Sequence, residues 1–327
     1  MTKRIMEIIK SRTSGLKYRT FCNSFKLKSH PQWPFSDDGL KELMMKQLYG
    51  HRLCYFFGYN ISRPYGKRFE SIRHEIYRYL HDSYSENTGQ FNFNGIIVPI
   101  PEHENEIGAF VAEVTDMLLH ELTDDAEFRH IVYYEGPYEM GNVQINENDI
   151  VFDCGAHMGL FSAMASRKGA EVYAFEPFDY VVENYLSKTV EWNPGIQIFK
   201  YAISDKEEQI SFIQKADTFF NSHVATAERG AKDTDKIVTV QAIPLDVFVE
   251  RNNIGRVDFI KADIEGAERY LLKGAKNVLK EFAPKISICT YHLPDDPKVL
   301  RELILDANPN YIIEEYYSKM YAYVAGK

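Results

Sequence analysis

From about Ile131 onward, short apolar runs alternate with stretches of helical periodicity. The runs are DIVFDCG, AEVYAFEP, IQIFKYAIS, VDFIKADIE and KISICTYH. Between them, apolar residues recur at helical spacing over 160–167, 180–192, 246–251, 267–279 and 297–307. Strands that are apolar on both faces belong to a parallel sheet covered by helices on both sides. One crossover, 204–240, is long and holds two more strand-like runs, QISFI and KIVTVQ, around a polar loop. The last run, YIIEEYYSKMYAYV, reads as an antiparallel pair that closes the sheet. The pattern predicts an α/β fold: a doubly wound, mostly parallel seven-stranded sheet with one reversed strand.

The first part of the chain has a different texture. Ser36 and Asp37 are placed to cap a helix with apolar positions Leu40, Leu43, Met44 and Leu48 and Gly50 at its end. Further helices are expected over 69–80 and 104–122, with NFNGIIVPIP between them as a short strand-like run broken by Pro99 and Pro101. Residues 1–125 are therefore expected to be a mainly helical N-terminal region, and 126–327 a separate α/β domain.

Composition narrows the partners. The chain has 327 residues and a net charge of −9, which argues against general nucleic-acid binding, since that needs a basic surface. Residues 1–35 go against this trend, with eight Lys/Arg and the single acid Glu7, a basic arm suited to an acidic membrane surface. The four cysteines, Cys22, Cys54, Cys154 and Cys289, show no metal-type spacing, which fits a reducing, cytoplasmic setting. No segment is apolar enough for a signal peptide or a membrane span. The oligomeric state is not legible.

Doubly wound sheets bind ligands at the carboxyl ends of their strands, where the winding reverses. In VFDCGAHMGLFS, Asp153 ends a strand, and Gly155 and Gly159 bring backbone close to a ligand at the start of the next helix. Glu176 ends the following strand, 21 residues after Gly155, where a carboxylate accepts ribose hydroxyls. A dinucleotide fingerprint would need glycine where the chain has Asp153 and Met158, and Asp153 would repel a diphosphate. This disfavours a nicotinamide-dependent oxidoreductase. A carboxylate there suits a cation such as the ammonium of a methionyl group. Two further signals end strands. KADIEGAE carries Asp263, Glu265 and Glu268, and TYHLPDD carries His292. Acids also favour helix N-termini for structural reasons alone. Asp263 is the acid least explained that way, and His292 should lie beside it on the ligand-facing edge.

Taken in order, YEGPYEMGNVQINENDIVFDCGAHMGLFS, FEPFDYVVEN, IPLDVF, VDFIKADIEGAE and YHLPDDPKVLRELI resemble the FkbM family of S-adenosylmethionine-dependent methyltransferases, over roughly 131–325. The resemblance implies a class I, Rossmann-like fold and methyl transfer to a hydroxyl of a sugar, glycan or glycosylated metabolite. It implies that Asp153, Gly155, His157 and Gly159 form the methionine-side loop and that Glu176 holds the ribose. Phe178, Tyr201 and Ala202 would meet the adenine, and Asp263 would be catalytic or metal-ligating. Glu135 and Tyr138, in a segment able to cross the mouth of the site, are acceptor-side candidates together with Glu265. Residues 1–125 would cap the acceptor side.

The chemistry asks little of the protein. Holding an acceptor oxygen about 3–3.5 Å from the methyl carbon contributes about 7–11 kcal/mol. A hydroxyl also needs help with its proton, typically worth about 10²–10⁴-fold. Asp263 or His292 would give that help as a base, with activity rising through the ordinary histidine range of about 6–7. The alternative is Mg²⁺ held by Asp263 with Glu265 or Glu268. A non-catalytic module that binds S-adenosylmethionine is the competing function.

Overall fold

The structure is a computed structural model and describes residues 79–80, 82–85, 87–101, 110, 113–114, 117, 137–215, 218–224, 236–316 and 318–326. The basic arm, the helix expected over 36–50, most of those expected over 69–80 and 104–122, and Glu135 lie outside the described residues.

The strands are β1 (Tyr84–Ser85), β2 (Gln90–Phe93), β3 (Ile96–Pro99), β4 (Ile150–Cys154), β5 (Glu171–Phe175), β6 (Ile196–Phe199) and β7 (Ala202–Ile203). They continue with β8 (Glu208–Lys215), β9 (Thr218–Val224), β10 (Lys236–Ile243), β11 (Phe259–Ala262), β12 (Lys285–Cys289), β13 (Tyr311–Tyr316) and β14 (Lys319–Val324). The central sheet has seven strands in the order β13-β14-β12-β11-β4-β5-β6. Neighbours from β12 to β6 pair in parallel, and β14 is antiparallel to both β12 and β13. This is the sheet that the apolar runs predict, with the terminal hairpin supplying the reversed strand.

β4 lies at its centre because it is apolar on both faces. Val151 joins one core and Phe152 and Cys154 the other, each completely buried. Burying a side chain of this size contributes about 1.5–3 kcal/mol. The first core is closed by α1 (Leu160–Arg167). The second is closed by α4 (Leu245–Arg251), α5 (Glu268–Lys273), α6 (Lys276–Glu281) and α7 (Asp296–Ala307). The helix expected over 180–192 is α2 (Asp179–Val181) and α3 (Ser187–Trp192) joined by a π turn, Val182–Leu186. The one expected over 267–279 is two helices, α5 and α6. Asp246 explains the second start, because its carboxylate accepts the Asn277 and Val278 amides and caps α6.

The long crossover forms a second sheet, β7-β10-β8-β9. The NFNGIIVPIP run is more than one strand. Asn94 and Gly95 have φ of 54° and 96° and form the two-residue turn of the β2–β3 hairpin. Phe91, Phe93 and Val98 of this hairpin are fully buried in the core that contains Leu160 and Ala163 of α1. Asn193 fastens it, accepting from the Ile97 amide at 3.2 Å and donating to the Ile97 carbonyl at 2.6 Å. Among the described residues, the N-terminal part thus contributes strands to the same core as the central sheet. No described helix is long and apolar enough to cross a membrane.

Candidate functional site

After β4 the chain winds outward to β5 and β6, and after β11 it winds the other way to β12. The switch point therefore lies between β4 and β11, whose last residues, Cys154 and Ala262, are register partners. The two loops that follow them meet there. Gly155 has φ 80°, and a Cβ on it would lie 2.0 Å from the Asp263 carbonyl oxygen. Gly159 has φ 86°, and a Cβ there would lie 2.7 Å from Leu186 Cδ1. Both glycines are required by packing within the protein itself, whereas the spacing alone suggested only the approach of a ligand.

Asp153 also differs from expectation. Its side chain is fully buried, accepting from Ser162 Oγ at 2.6 Å and pairing with Lys261 Nζ at 3.0 Å. The cation beside it in the fold is Lys261. Burial opposes the charge of Lys261, but Asp153 and Asp263 outweigh it and hold the amine protonated. Lys261 also donates to the Gly155 carbonyl at 2.6 Å, so the ion pair stiffens the turn that carries the glycines. Lys261 is a site residue missed by the sequence reading. A lysine amid the apolar run VDFIKA was the available signal.

Glu176, at the end of β5, is 5% exposed. Burial raises its pKa above the ordinary carboxylate value, against the opposing pull of His157 and two amide hydrogen bonds. Those amides are His157 N at 3.0 Å and Phe178 N at 3.1 Å, one on each carboxylate oxygen. A carboxylate has about four acceptor positions. One on each oxygen therefore remains for a pair of hydroxyls, which is what a ribose presents. His157 has φ 51°, and its Nδ1 lies 3.8 Å from Glu113 Oε2 of the N-terminal part. Phe178 packs with Ala202 in one apolar cluster and meets Phe212 edge-on at 5.3 Å. Tyr201 packs instead against the second core. This acceptor and apolar set fits an adenosine.

Asp263, Glu265, Glu268 and His292 converge across the switch point. His292 Nδ1 lies 2.9 Å from Glu268 Oε1, and Nε2 lies 3.6 Å from Asp263 Oδ1 and 3.8 Å from Glu265 Oε2. Asp263 also accepts from Tyr138 Oη at 2.8 Å and from Tyr291 Oη at 3.2 Å. Tyr138 is 6% exposed, with Lys261 and Lys319 over its ring at 5.2 and 4.4 Å. Tyr291, Lys319 and the role of Glu268 toward His292 escaped the sequence reading, because nothing in chain order joins them to Asp263. Burial works to raise the Asp263 pKa, but Lys261, Lys319 and His292 lower it below the usual value. Glu265 is pushed up to about 7 by burial and by Asp263. Its φ of 56° belongs to a tight turn with Gly266, whose φ is 98°.

Two expectations are corrected. Burial disfavours the charged form of His292, yet Glu268, Asp263 and Glu265 together raise its pKa to about 9, well above the 6–7 range. The expected Mg²⁺ set also changes. The groups whose ligand atoms lie within 4.8 Å of one another are Asp263, Glu268 and His292, and Glu265 stands outside that group. An imidazole is a poor match for Mg²⁺, which takes oxygen ligands.

Comparison with known proteins gives a consistent set. The model of the methyltransferase FkbM domain matches residues 153–319, just over half of the chain. The hexuronic acid methyltransferase AglP of Haloferax volcanii is 30% identical over 169 residues, covering 50% of this chain and 64% of the relative. The 31-O-demethyl-FK506 methyltransferase FkbM of Streptomyces tacrolimicus is 22% identical over 173 residues, covering 45% and 66%. The chain thus spans about two-thirds of the length of these relatives. The crystal structure of methyltransferase FkbM from Methylobacillus flagellatus matches with 20% identity and a TM-score of 0.43, covering 67% of this chain and 59% of that one.

Proposed function

The chain belongs to the FkbM methyltransferase family, and from that premise we propose that it moves a methyl group from S-adenosylmethionine to a hydroxyl of a sugar or glycan. The observation that carries the reading is the placement of His292 Nε2 3.6 Å from Asp263 Oδ1 at the switch point of the sheet. Glu176 and Phe178 close the other side of the same strand ends. The hexuronic acid named for the relative from Haloferax volcanii supports a sugar as acceptor.

When bound, S-adenosylmethionine supplies an electrophilic methyl group on a sulfonium. This chain has three tasks around it. Glu176 accepts from the ribose hydroxyls with its two remaining acceptor positions, while Phe178 and Ala202 offer apolar contact to the adenine and Tyr201 sits beside Ala202 in sequence. The turn from Gly155 through His157 to Gly159 holds the methionine side, and the buried Asp153–Lys261 pair keeps that turn in place. Asp263 and His292 receive the acceptor. Asp263 orients its hydroxyl and His292 takes the proton, with Tyr138 and Tyr291 fixing the Asp263 carboxylate. Glu135 is kept as an acceptor-side candidate on sequence alone. Residues 1–125 form part of the acceptor side in this reading, with Glu113 Oε2 3.8 Å from His157 Nδ1 of the cofactor loop.

Calorimetry tests the cofactor. The expected result is binding of S-adenosylmethionine and of S-adenosylhomocysteine, with no heat from NAD. Binding of NAD alone would overturn the reading.

A further inference from the structure

Glu268 is completely buried as the first residue of α5. Its Oε1 accepts the Ile264 amide at 2.9 Å and faces His292 Nδ1 at 2.9 Å. Its Oε2 is also buried and has no hydrogen-bond partner among the described residues, and the two buried ring nitrogens of His292 likewise complete no hydrogen bond there, so the 2.9 Å contact is an ion pair. A buried carboxylate with an unsatisfied oxygen is costly unless a cation faces it. The cation beside it is the imidazole of His292, whose side chain is 8% exposed. An acid in the first turn of a helix needs no such partner to be stable there. Placement in the core, against a ring nitrogen, goes beyond what helix capping requires.

We propose that Glu268 is a positioning residue for His292, fixing the imidazole with Nδ1–H donated to it so that Nε2 is the atom that takes the acceptor proton. The proposal rests on the methyltransferase reading above for the presence of an acceptor hydroxyl. Nε2 points to Asp263 and Glu265, where that hydroxyl would lie. The proton balance follows. Neutral His292, the form that grows as pH rises toward about 9, carries its one ring proton on Nδ1 and receives the hydroxyl proton on Nε2, while the oxygen electron pair forms the bond to the methyl carbon. The electron pair of the broken carbon–sulfur bond stays on sulfur. His292 ends as an imidazolium between Glu268 and Asp263, two carboxylates already in place to hold that charge. Among the described residues, the charged groups facing the ring are Glu268 from α5 and Asp263 and Glu265 from the loop after β11. The Tyr291 ring lies 4.2 Å from it, centre to centre.

The test is nitrogen-15 NMR of the full chain carrying labelled histidine, recorded in chelator across the pH range without any acceptor. The proposal expects His292 to lose its proton near pH 9, from Nε2, leaving Nδ1 protonated above the transition. Glu268→Gln keeps an oxygen for Nδ1 but removes the charge, and should lower the proton affinity of His292 at least tenfold. A neutral His292 with its proton on Nε2 would overturn the proposal, as would a Glu268→Gln protein titrating at the wild-type pH. The tautomer is read in the unaltered protein, so a variant that fails to fold does not remove the test. Neither readout uses an acceptor or the cofactor. A protein that binds no S-adenosylhomocysteine would therefore sink the methyltransferase reading separately.

Discussion

Lys261 Nζ lies 3.0 Å from Asp153 Oδ1, with side chains 4% and 0% exposed. Removing one member of such a pair strands a buried charge, which typically costs about 3–5 kcal/mol. Lys261→Met is expected to destabilise the fold by that amount in urea unfolding. Adding Asp153→Asn should recover part of the loss, since both charges are then gone. A Lys261→Met protein as stable as the wild type would mean that the pair is not held as described.

Glu176 tests the cofactor side. Each of its oxygens already holds one backbone amide. Glu176→Ala should weaken S-adenosylhomocysteine binding by about 1.5–3 kcal/mol, the range for hydrogen bonds to a charged group. Calorimetry on the purified variant reads this directly. Unchanged affinity would place the ribose elsewhere.

His292 links stability to pH. Its folded pKa, about 9, stands above the ordinary value of 6.5, so the folded state binds the proton more tightly than the unfolded state does. The resulting stabilisation is fully present below pH ~6.5 and is lost as pH rises through about 9. Glu265, raised to about 7, adds loss in the same direction between the ordinary carboxylate range and neutrality. Urea midpoints measured from pH 6 to 9.5 should fall, and Glu268→Gln should flatten the upper part of that fall. A midpoint that rises over this range would contradict the assignment.

The β2–β3 hairpin is expected to be structural as well as acceptor-side. Asn193→Ala removes both bonds to Ile97 and leaves part-buried backbone groups unpaired, at about 1 kcal/mol each. A chain beginning at Phe128 loses Phe91, Phe93 and Val98 from the core and is expected to bind cofactor weakly and to aggregate. Full cofactor affinity in a soluble chain of that length would show the core to be autonomous, as the sequence division at 125/126 suggests.

The sheet was legible because β4, β5, β11 and β12 are apolar runs bounded by Gly, Pro or acids, and a buried parallel strand leaves that trace in sequence. The closeness of Asp263 and His292 was legible for a related reason: Asp263 directly follows β11 and His292 lies three residues after β12, and the loops at neighbouring strand ends share an edge. The hairpin leaves one local mark, the two-residue turn Asn94-Gly95, and Pro99 and Pro101 mask its second strand by breaking the apolar run. Lys261, Tyr291 and Lys319 were not read as site residues, and Glu268 was read only as a candidate metal ligand. Their roles depend on contacts between segments far apart in the chain, and on charge balance in a buried volume. No local pattern encodes either. The same gap explains Asp153, whose partner is set by burial beside β11 and not by its place in a motif.

The most direct measurement of the central claim is methyl transfer from methyl-labelled S-adenosylmethionine to a panel of neutral hexose and hexuronic acid glycosides, with the product located by NMR. The account predicts a new methyl ether on a sugar hydroxyl. It also predicts a loss of at least ~100-fold in His292→Ala, the general-base magnitude, with S-adenosylhomocysteine affinity near normal. A protein that binds S-adenosylhomocysteine but methylates no sugar hydroxyl would contradict it. So would a product methylated at a carboxylate, which carries no proton for His292 to take, or a His292→Ala protein with undiminished turnover.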